Sequence, residues 1–166
     1  MIKLIAAYDD NNGIGKDGKI PWNVPEDLEW FKHLTTGHVV LMGYKTWQSL
    51  GNKALPNREN IVLTKNSYSS LFYAAPDIHV VDDFEAALWT YKKIANPGKD
   101  LWIIGGAQVY QKALDLDLVD EMYLAHIHGD YNCDVKLPKL SLKGLDILSY
   151  CRTNKYTQFR YSYTRV

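Results

Sequence analysis

Cysteine is scarce in this 166-residue chain, with only Cys133 and Cys151. They form no C-x-x-C pair and have no clustered histidines beside them, so neither a metal site nor a disulfide framework is expected, and a reduced cytoplasmic setting is the default. Long hydrophobic runs are also missing. Only four apolar residues follow Lys3 in "MIKLIAAYDDNN", too few for a secretory core, and no segment approaches the roughly 20 apolar residues of a membrane helix. Neither charge sign is in excess: 19 Lys and Arg balance 19 Asp and Glu. That balance argues against nucleic acid or an anionic membrane as the main partner, while leaving room for a local basic pocket. Repeats of 20 to 50 residues and low-complexity tracts are absent as well. What remains is 46% hydrophobic and 23% charged, an ordinary soluble composition, in a chain long enough for one domain with a real core.

The order of patterns predicts an α/β fold. "KLIAAY" (3–8), "HVVLMG" (38–43), "ENIVLTKN" (59–66), "DIHVVD" (77–82) and "DLWIIGG" (100–106) read as strands. Helices are predicted from Pro25, over "YKTWQSL" (44–50), over "DDFEAALWTYKKI" (82–94) and over "AQVYQKAL". Such alternation gives a mostly parallel, twisted central sheet flanked by helices. The last third differs: "EMYLAHIHG" (121–129), "LDILSYCRT" (145–153) and "TQFRYSYTRV" (157–166) are strand-like with no helix between them. They predict antiparallel edge strands, the last half-buried through Phe159, Tyr161 and Tyr163.

The helix in "KIPWNVPEDLEWFKHL" (19–34) starts at Pro25, where a missing N–H costs nothing. Asp27, Trp30, Phe31 and Leu34 recur on one of its faces. An acid on an apolar face has two readings. It bonds back to the helix N-terminus, or it lies at the floor of a cleft walled by Trp22, Leu28 and Phe31. In the cleft, desolvation would raise its pKa and prepare it for a cationic or amidine-like group. An amino-pyrimidine, with an N–H beside an NH₂, matches both carboxylate oxygens.

"IIGGAQVY" (103–110) is a strand, a Gly-Gly turn and a helix start, which together gather free N–H groups into an anion site or simply make a tight turn. "MGYKTW" (42–47) repeats the idea, with Gly43 before a helix and Lys45 within reach of a phosphate. "NGIGKDGKIPW" (12–22) has three glycines and then an Ile-Pro-Trp anchor, and reads as a mobile loop that closes over substrate, or as a plain surface loop.

Taken in order, "LIAAY", "GIGKDGKIPWNVPEDLEWFK", "VLMGYKTWQSL", "LPNRENIVLT", "WIIGGAQVY" and "YLAHI" resemble the dihydrofolate reductase family along nearly the whole chain. The resemblance implies a bacterial-type reductase with one domain over residues 1–166, taking 7,8-dihydrofolate to tetrahydrofolate. Hydride passes from NADPH to C6 and a proton to N5, in support of one-carbon metabolism and thymidylate synthesis. It also implies binding of antifolate-like small molecules, and a monomer is expected because no exposed apolar stripe is evident.

Carried over by position, the resemblance makes Asp27 the acid that grips the pterin N3 and 2-amino group, with water carrying the proton to N5. Trp22 and Ile20 join it as catalytic residues. Ile5, Ala6, Leu28, Phe31, Lys32, Leu50, Leu55, Ile104 and Tyr110 would bind substrate, Arg58 would fork onto the glutamate α-carboxylate, and Lys53 would be a further carboxylate contact. Ala7, Ile14, Gly15 and Ile20 would meet the nicotinamide side of the cofactor. Gly43, Tyr44, Lys45, Thr46, Leu63, Thr64 and Lys65 would meet its adenosine-phosphate. Gly105, Gly106, Ala107, Gln108, Val109 and Tyr110 would form the pyrophosphate turn, with a cis peptide between the glycines.

Two positions depart from the family pattern. Tyr44 stands where an arginine commonly holds the 2′-phosphate, so Lys45 and Lys65 would supply the charge. Ala125 stands where a threonine hydroxyl usually supports the acid, so water or another group must satisfy Asp27. The rival readings are a non-catalytic nucleotide- or pterin-binding module, and the same-fold reductase of a ribosylamino-pyrimidine in riboflavin synthesis, which lacks the Pro-Trp…Asp…Phe helix.

Overall fold

A computed structural model describes residues 1–65, 75, 77–141 and 143–164. The strand ends predicted at residue 66 and at 165–166 lie outside them. The elements in chain order are β1 (Ile2–Tyr8), β2 (Gly13–Gly15), α1 (Pro25–Thr35), β3 (Val39–Gly43), α2 (Tyr44–Ser49), β4 (Glu59–Leu63), β5 (His79–Val81), α3 (Phe84–Ile94), β6 (Leu101–Gly105), α4 (Ala107–Asp115), β7 (Glu121–Ile127), β8 (Val135–Lys136), β9 (Leu145–Arg152) and β10 (Tyr156–Tyr163).

The main sheet runs β5-β4-β3-β6-β1-β7-β10-β9. All pairs from β5 to β7 are parallel, and β10 and β9 add antiparallel pairs at one edge. The near-continuous apolar runs are explained by burial on both faces. Leu4, Leu41, Ile61, Leu101, Ile103 and Met122 pack on the side covered by Phe84, Ala87, Val109 and Ala113 of α3 and α4. Val40, Met42, Val62, Trp102 and Tyr123 pack on the other side, beneath Trp30, Phe31 and Leu34 of α1 and Trp47 of α2. Among the described residues no helix is long and apolar enough to cross a membrane.

Connections leaving β3 and β6 diverge. From β3 the chain passes through α2 to β4 on one side, and from β6 it passes through α4 to β7 on the other. Two adjacent parallel strands whose connections part in this way open a crevice beyond their carboxyl ends, the usual ligand position in open α/β sheets.

Three details differ from the sequence reading. The 12–22 stretch holds pairing that its sequence did not show: β2 pairs with β8, and Lys16 and Lys19 close a hairpin over Asp17 and Gly18, whose φ values of +51° and +74° suit an Asp-Gly turn. In β10 the polar alternates are not simply solvent-facing. Arg160 donates from Nη2 to buried Glu121 at 3.1 Å and covers the Tyr123 ring. Last, β6 carries a bulge, because Leu41 faces Ile103 while Met42 faces Gly105, which leaves Ile104 as the extra residue.

Candidate active site

α1 lies with its apolar residues on the sheet: Trp30 is 6.0 Å from the Tyr123 ring, and Phe31 and Leu34 pack on the cluster of Ile5 and Trp102. Asp27 stands one turn earlier. Its helix begins after Val24, which contributes no side-chain cap. The Asp27 carboxylate makes no hydrogen bond or ion pair with a described residue, and its backbone N–H donates to Val24 O at 3.0 Å. The capping alternative therefore fails. Burial alone raises its carboxyl from 3.8 to about 6. The charge also reaches across to Tyr110, whose phenol is pushed far up by burial first and by Asp27 second. The Tyr110 hydroxyl is committed elsewhere, donating to Ile5 O at 2.7 Å, so Asp27 keeps both oxygens for a ligand. Ala125 is buried opposite Ala7 and carries no hydroxyl to offer a neighbour.

Arg58 is held on one edge. Its Nε donates to Pro56 O at 2.9 Å and Nη1 to Thr35 Oγ1 at 3.0 Å, and its guanidinium lies 5.9 Å from the Phe31 ring centre. Nη2 stays available. Burial lowers the guanidinium pKa, yet the group remains a cation at neutral pH. Two residues missed in the sequence build this seat. Thr35, buried at the end of α1, donates to Phe31 O while accepting from Arg58. Asn60 bonds the N–H and carbonyl of Leu55 and the carbonyl of Arg58, which shapes the intervening loop. An Asn just past "LPNR" reads as turn chemistry, the only available signal.

Several assigned residues meet in one place. Phe31, Tyr44, Leu55 and Ile104 all border the cluster that contains Ile5, while Trp22, Ala7 and Trp30 share a second one with Ala125. Ile20, Leu28 and Leu50 are 55%, 59% and 36% exposed, large apolar groups left uncovered where ligand walls are expected. Lys32, Lys53 and Gln108 are also exposed, and none makes an ion pair with a described residue, so nothing in the fold draws them into the site.

At the crevice between β3 and β6, two glycines stand where a side chain would be tightly crowded. A Cβ on Gly43 would come within 3.1 Å of Val109, and one on Gly105 (φ +122°) within 3.2 Å of the Tyr110 hydroxyl. The Gly105–Gly106 peptide is cis. Gly43 and Gly106 precede α2 and α4 without any side-chain cap, so first-turn N–H groups, with Thr46 and Ala107 among them, face outward. Gly43 faces Leu63 as the last pair of the β3–β4 ladder, with Tyr44 and Lys45 next along one chain segment and Thr64 and Lys65 next along the other. Both lysines are exposed, and the Tyr44 ring lies 6.1 Å from Trp47. A ligand with two phosphate groups and a cationic requirement on one side fits this cradle.

The loop expected to close over substrate is fastened on its other side. Ile14 and Gly15 sit in β2, and Asp134 clasps that strand by donating its N–H to Gly15 O at 3.0 Å and accepting from the Asp17 N–H at 3.0 Å. Asp134 carried no signal in the sequence. Among the described residues no group of His, Cys, Asp and Glu is placed to hold a metal ion, and both cysteines are free.

Comparison with known proteins gives consistent matches. The family model described as dihydrofolate reductase matches residues 1–166. A dihydrofolate reductase of Bacillus subtilis (strain 168) is 34% identical over 168 residues, covering 98% of this chain and 90% of that protein. A bifunctional dihydrofolate reductase-thymidylate synthase of Paramecium tetraurelia is 33% identical over 96% of this chain, which spans 33% of that longer protein. Among solved structures, dihydrofolate reductase from Enterococcus faecalis complexed with NADP(H) and RAB-propyl superposes with a TM-score of 0.85 at 27% identity, covering 99% of this chain and 97% of that one.

Proposed function

The chain belongs to the dihydrofolate reductase family; it reduces 7,8-dihydrofolate to 5,6,7,8-tetrahydrofolate with NADPH, and we propose that Asp27, Arg58 and the glycine turns of β3 and β6 form its active site. The observation that carries the assignment is Asp27: a desolvated carboxylate with no partner among the described residues, on a face otherwise made of aromatic and aliphatic groups. The partner that suits it is a flat heterocycle with adjacent N–H and NH₂ donors, as in a pterin.

Each group then has a defined task. Asp27, mostly ionised at neutral pH with its carboxyl near 6, binds the pterin's amidine edge and favours the protonated substrate. Phe31, Ile5 and Leu50 sandwich the rings and exclude water. Arg58 presents its free edge to the substrate's glutamate carboxylate. The uncapped N–H groups after Gly43 and Gly106 neutralise the cofactor's phosphates. Trp22 and Ile20 cover the reacting face from the lid side. When bound, NADPH supplies the hydride.

The same reading takes residues 1–166 as one catalytic domain, working as a cytoplasmic monomer. Oxidation of NADPH dependent on dihydrofolate, measured with the purified protein, is the expected result. Tight NADPH binding without any turnover would instead support the non-catalytic binding module.

A further inference from the structure

Away from the crevice, strand register assembles a second, two-sided groove. Tyr8, His126, Thr157 and Arg152 stand in one row across β1, β7, β10 and β9, and Ala6, Leu124, Phe159 and Tyr150 form a neighbouring row. Residues directly opposite in a ladder share a face. Leu124 and Phe159 place both rows on the side of the sheet under α3 and α4, with α1 on the other. α3 packs mainly on β4 and β5, and α4 on β3 and β6. β10 and β9, at the far edge of the sheet, project past both helices. There a groove of about 500 Å³ opens over the two rows, lined also by Asp10 and His128.

Most polar groups of the groove are engaged with one another. His126 Nε2 lies 2.7 Å from Asp10 Oδ1, and because a carboxylate only accepts, Nε2 carries the proton. His128 Nδ1 meets the Asn154 carbonyl at 3.2 Å and must donate to it, so its Nε2 accepts from the Thr157 hydroxyl at 2.9 Å. The His126 ring is fixed further by stacking on Tyr8, with centres 5.3 Å apart. Two groups are left over. Arg152 is exposed and makes no hydrogen bond or ion pair with a described residue, and neither does the Tyr150 hydroxyl. Beside this free cation, the rings of Tyr150 and Phe159 lie stacked 6.4 Å apart, with Tyr150 68% exposed.

We infer that this groove is a second small-molecule site, which takes an aromatic monocarboxylate with its ring against Tyr150 and Phe159 and its carboxylate on the fork of Arg152. A flat ring finds aromatic surface to cover, and a planar guanidinium matches two carboxylate oxygens at once. Neither half suffices alone, since an exposed ion pair is worth little in water. One negative charge suits the groove better than two, because Arg152 is its one unpaired cation among the described residues and the Asp10 carboxylate repels a second charge. The volume falls within the roughly 300–1,000 Å³ usual for small ligands. Lying on the sheet face opposite α1, the occupant does not compete with a ligand held by Asp27.

The probe is 2-naphthoate, titrated into the protein while NADP⁺ and folate fill the crevice, and followed by the NMR signals of the His126 and His128 rings. A Kd on the order of 1 mM or tighter is expected. Neutral 2-naphthalenemethanol and ring-free acetate should each bind roughly tenfold more weakly, and dianionic 1-naphthyl phosphate should also bind more weakly than the carboxylate. Arg152→Gln should weaken 2-naphthoate roughly tenfold and leave 2-naphthalenemethanol unchanged, whereas Tyr150→Ser should weaken both. Both side chains are exposed, so either variant decides if the other fails to fold. Equal affinity of wild type and Arg152→Gln for 2-naphthoate overturns the inference, as does a neutral probe that binds as tightly as the acid. Tighter binding of the phosphate overturns the choice of a monocarboxylate. Binding that disappears when NADP⁺ and folate are added places the probe in the crevice and overturns the second site. A protein that binds no folate contradicts the reductase reading alone, because titration of the free protein still reads the groove.

Discussion

The Asp27 carboxyl sits near 6 in the folded chain against 3.8 as a free group, and that gap makes a stability prediction of definite sign. Between the two values the folded state holds more protons than the unfolded one, so stability contributed by this site is present below about 4 and lost as pH rises through about 6. Above that the ionised acid costs the fold up to about 3 kcal/mol, from roughly two pKa units. Asp27→Asn removes the cost. Its melting temperature should exceed that of the wild type above pH ~7, with the gap closing toward pH ~4. A gap independent of pH would mean that the acid is not desolvated. Arg58 makes the complementary case, since it acts far from the reacting atoms. Arg58→Leu should raise KM for dihydrofolate by roughly tenfold or more with kcat at saturation nearly intact, because the lost binding is shared by ground and transition states. A pterin lacking the glutamate should be indifferent to the change; equal losses for both substrates would make Arg58 structural.

Elements were legible in the sequence wherever their cause is local. β1, β3 and β6 are continuous apolar runs, α1 begins at Pro25, and α3 is capped by Asp83, which accepts the Ala86 N–H at 2.7 Å. The glycine turns at Gly43 and Gly105–Gly106 could be found for the same reason, as abrupt changes of pattern at strand ends. What stayed hidden depends on partners far along the chain. β2 and β8 are three and two residues long and carry no period, the Ile104 bulge exists only through its pairing with β3, and Asp9 reaches donors at Tyr131 and Cys133. Thr35 belongs to this class too: nothing in "KHLTTG" shows that the end of α1 will receive Arg58 from the loop before β4. The contact can be tested as one between elements. Thr35→Val removes the acceptor for Arg58 Nη1 and the bond to Phe31 O, at a stability cost of about 1–3 kcal/mol. KM for dihydrofolate should rise severalfold with kcat little changed. An unchanged KM would show that Arg58 holds its place without α1.

For the whole molecule, a net charge of zero means that no long-range field gathers an anionic cofactor. Selection of NADPH over NADH then falls to the cations beside Tyr44, and Lys45 and Lys65 are the exposed candidates at the ends of neighbouring strands. Lysine is a point charge without a fork, so the preference should shrink as salt rises and largely vanish in Lys45→Ala with Lys65→Ala. Comparison of kcat/KM for the two cofactors at low and high ionic strength checks this, and an unchanged ratio in the double mutant would assign the phosphate to another group. The whole arrangement converges on one acid, Asp27, raised by desolvation to about 6 and without a carboxylate partner among the described residues. Its most direct test is the single-turnover rate of hydride transfer in Asp27→Asn followed from pH ~5 to ~9, across the value near 6 at which the wild-type acid titrates. The rate should fall steeply relative to wild type at neutral pH and above, and recover in part on acidification as substrate arrives already protonated; a variant that transfers hydride at the wild-type rate at pH ~7 and above would contradict the assignment of Asp27.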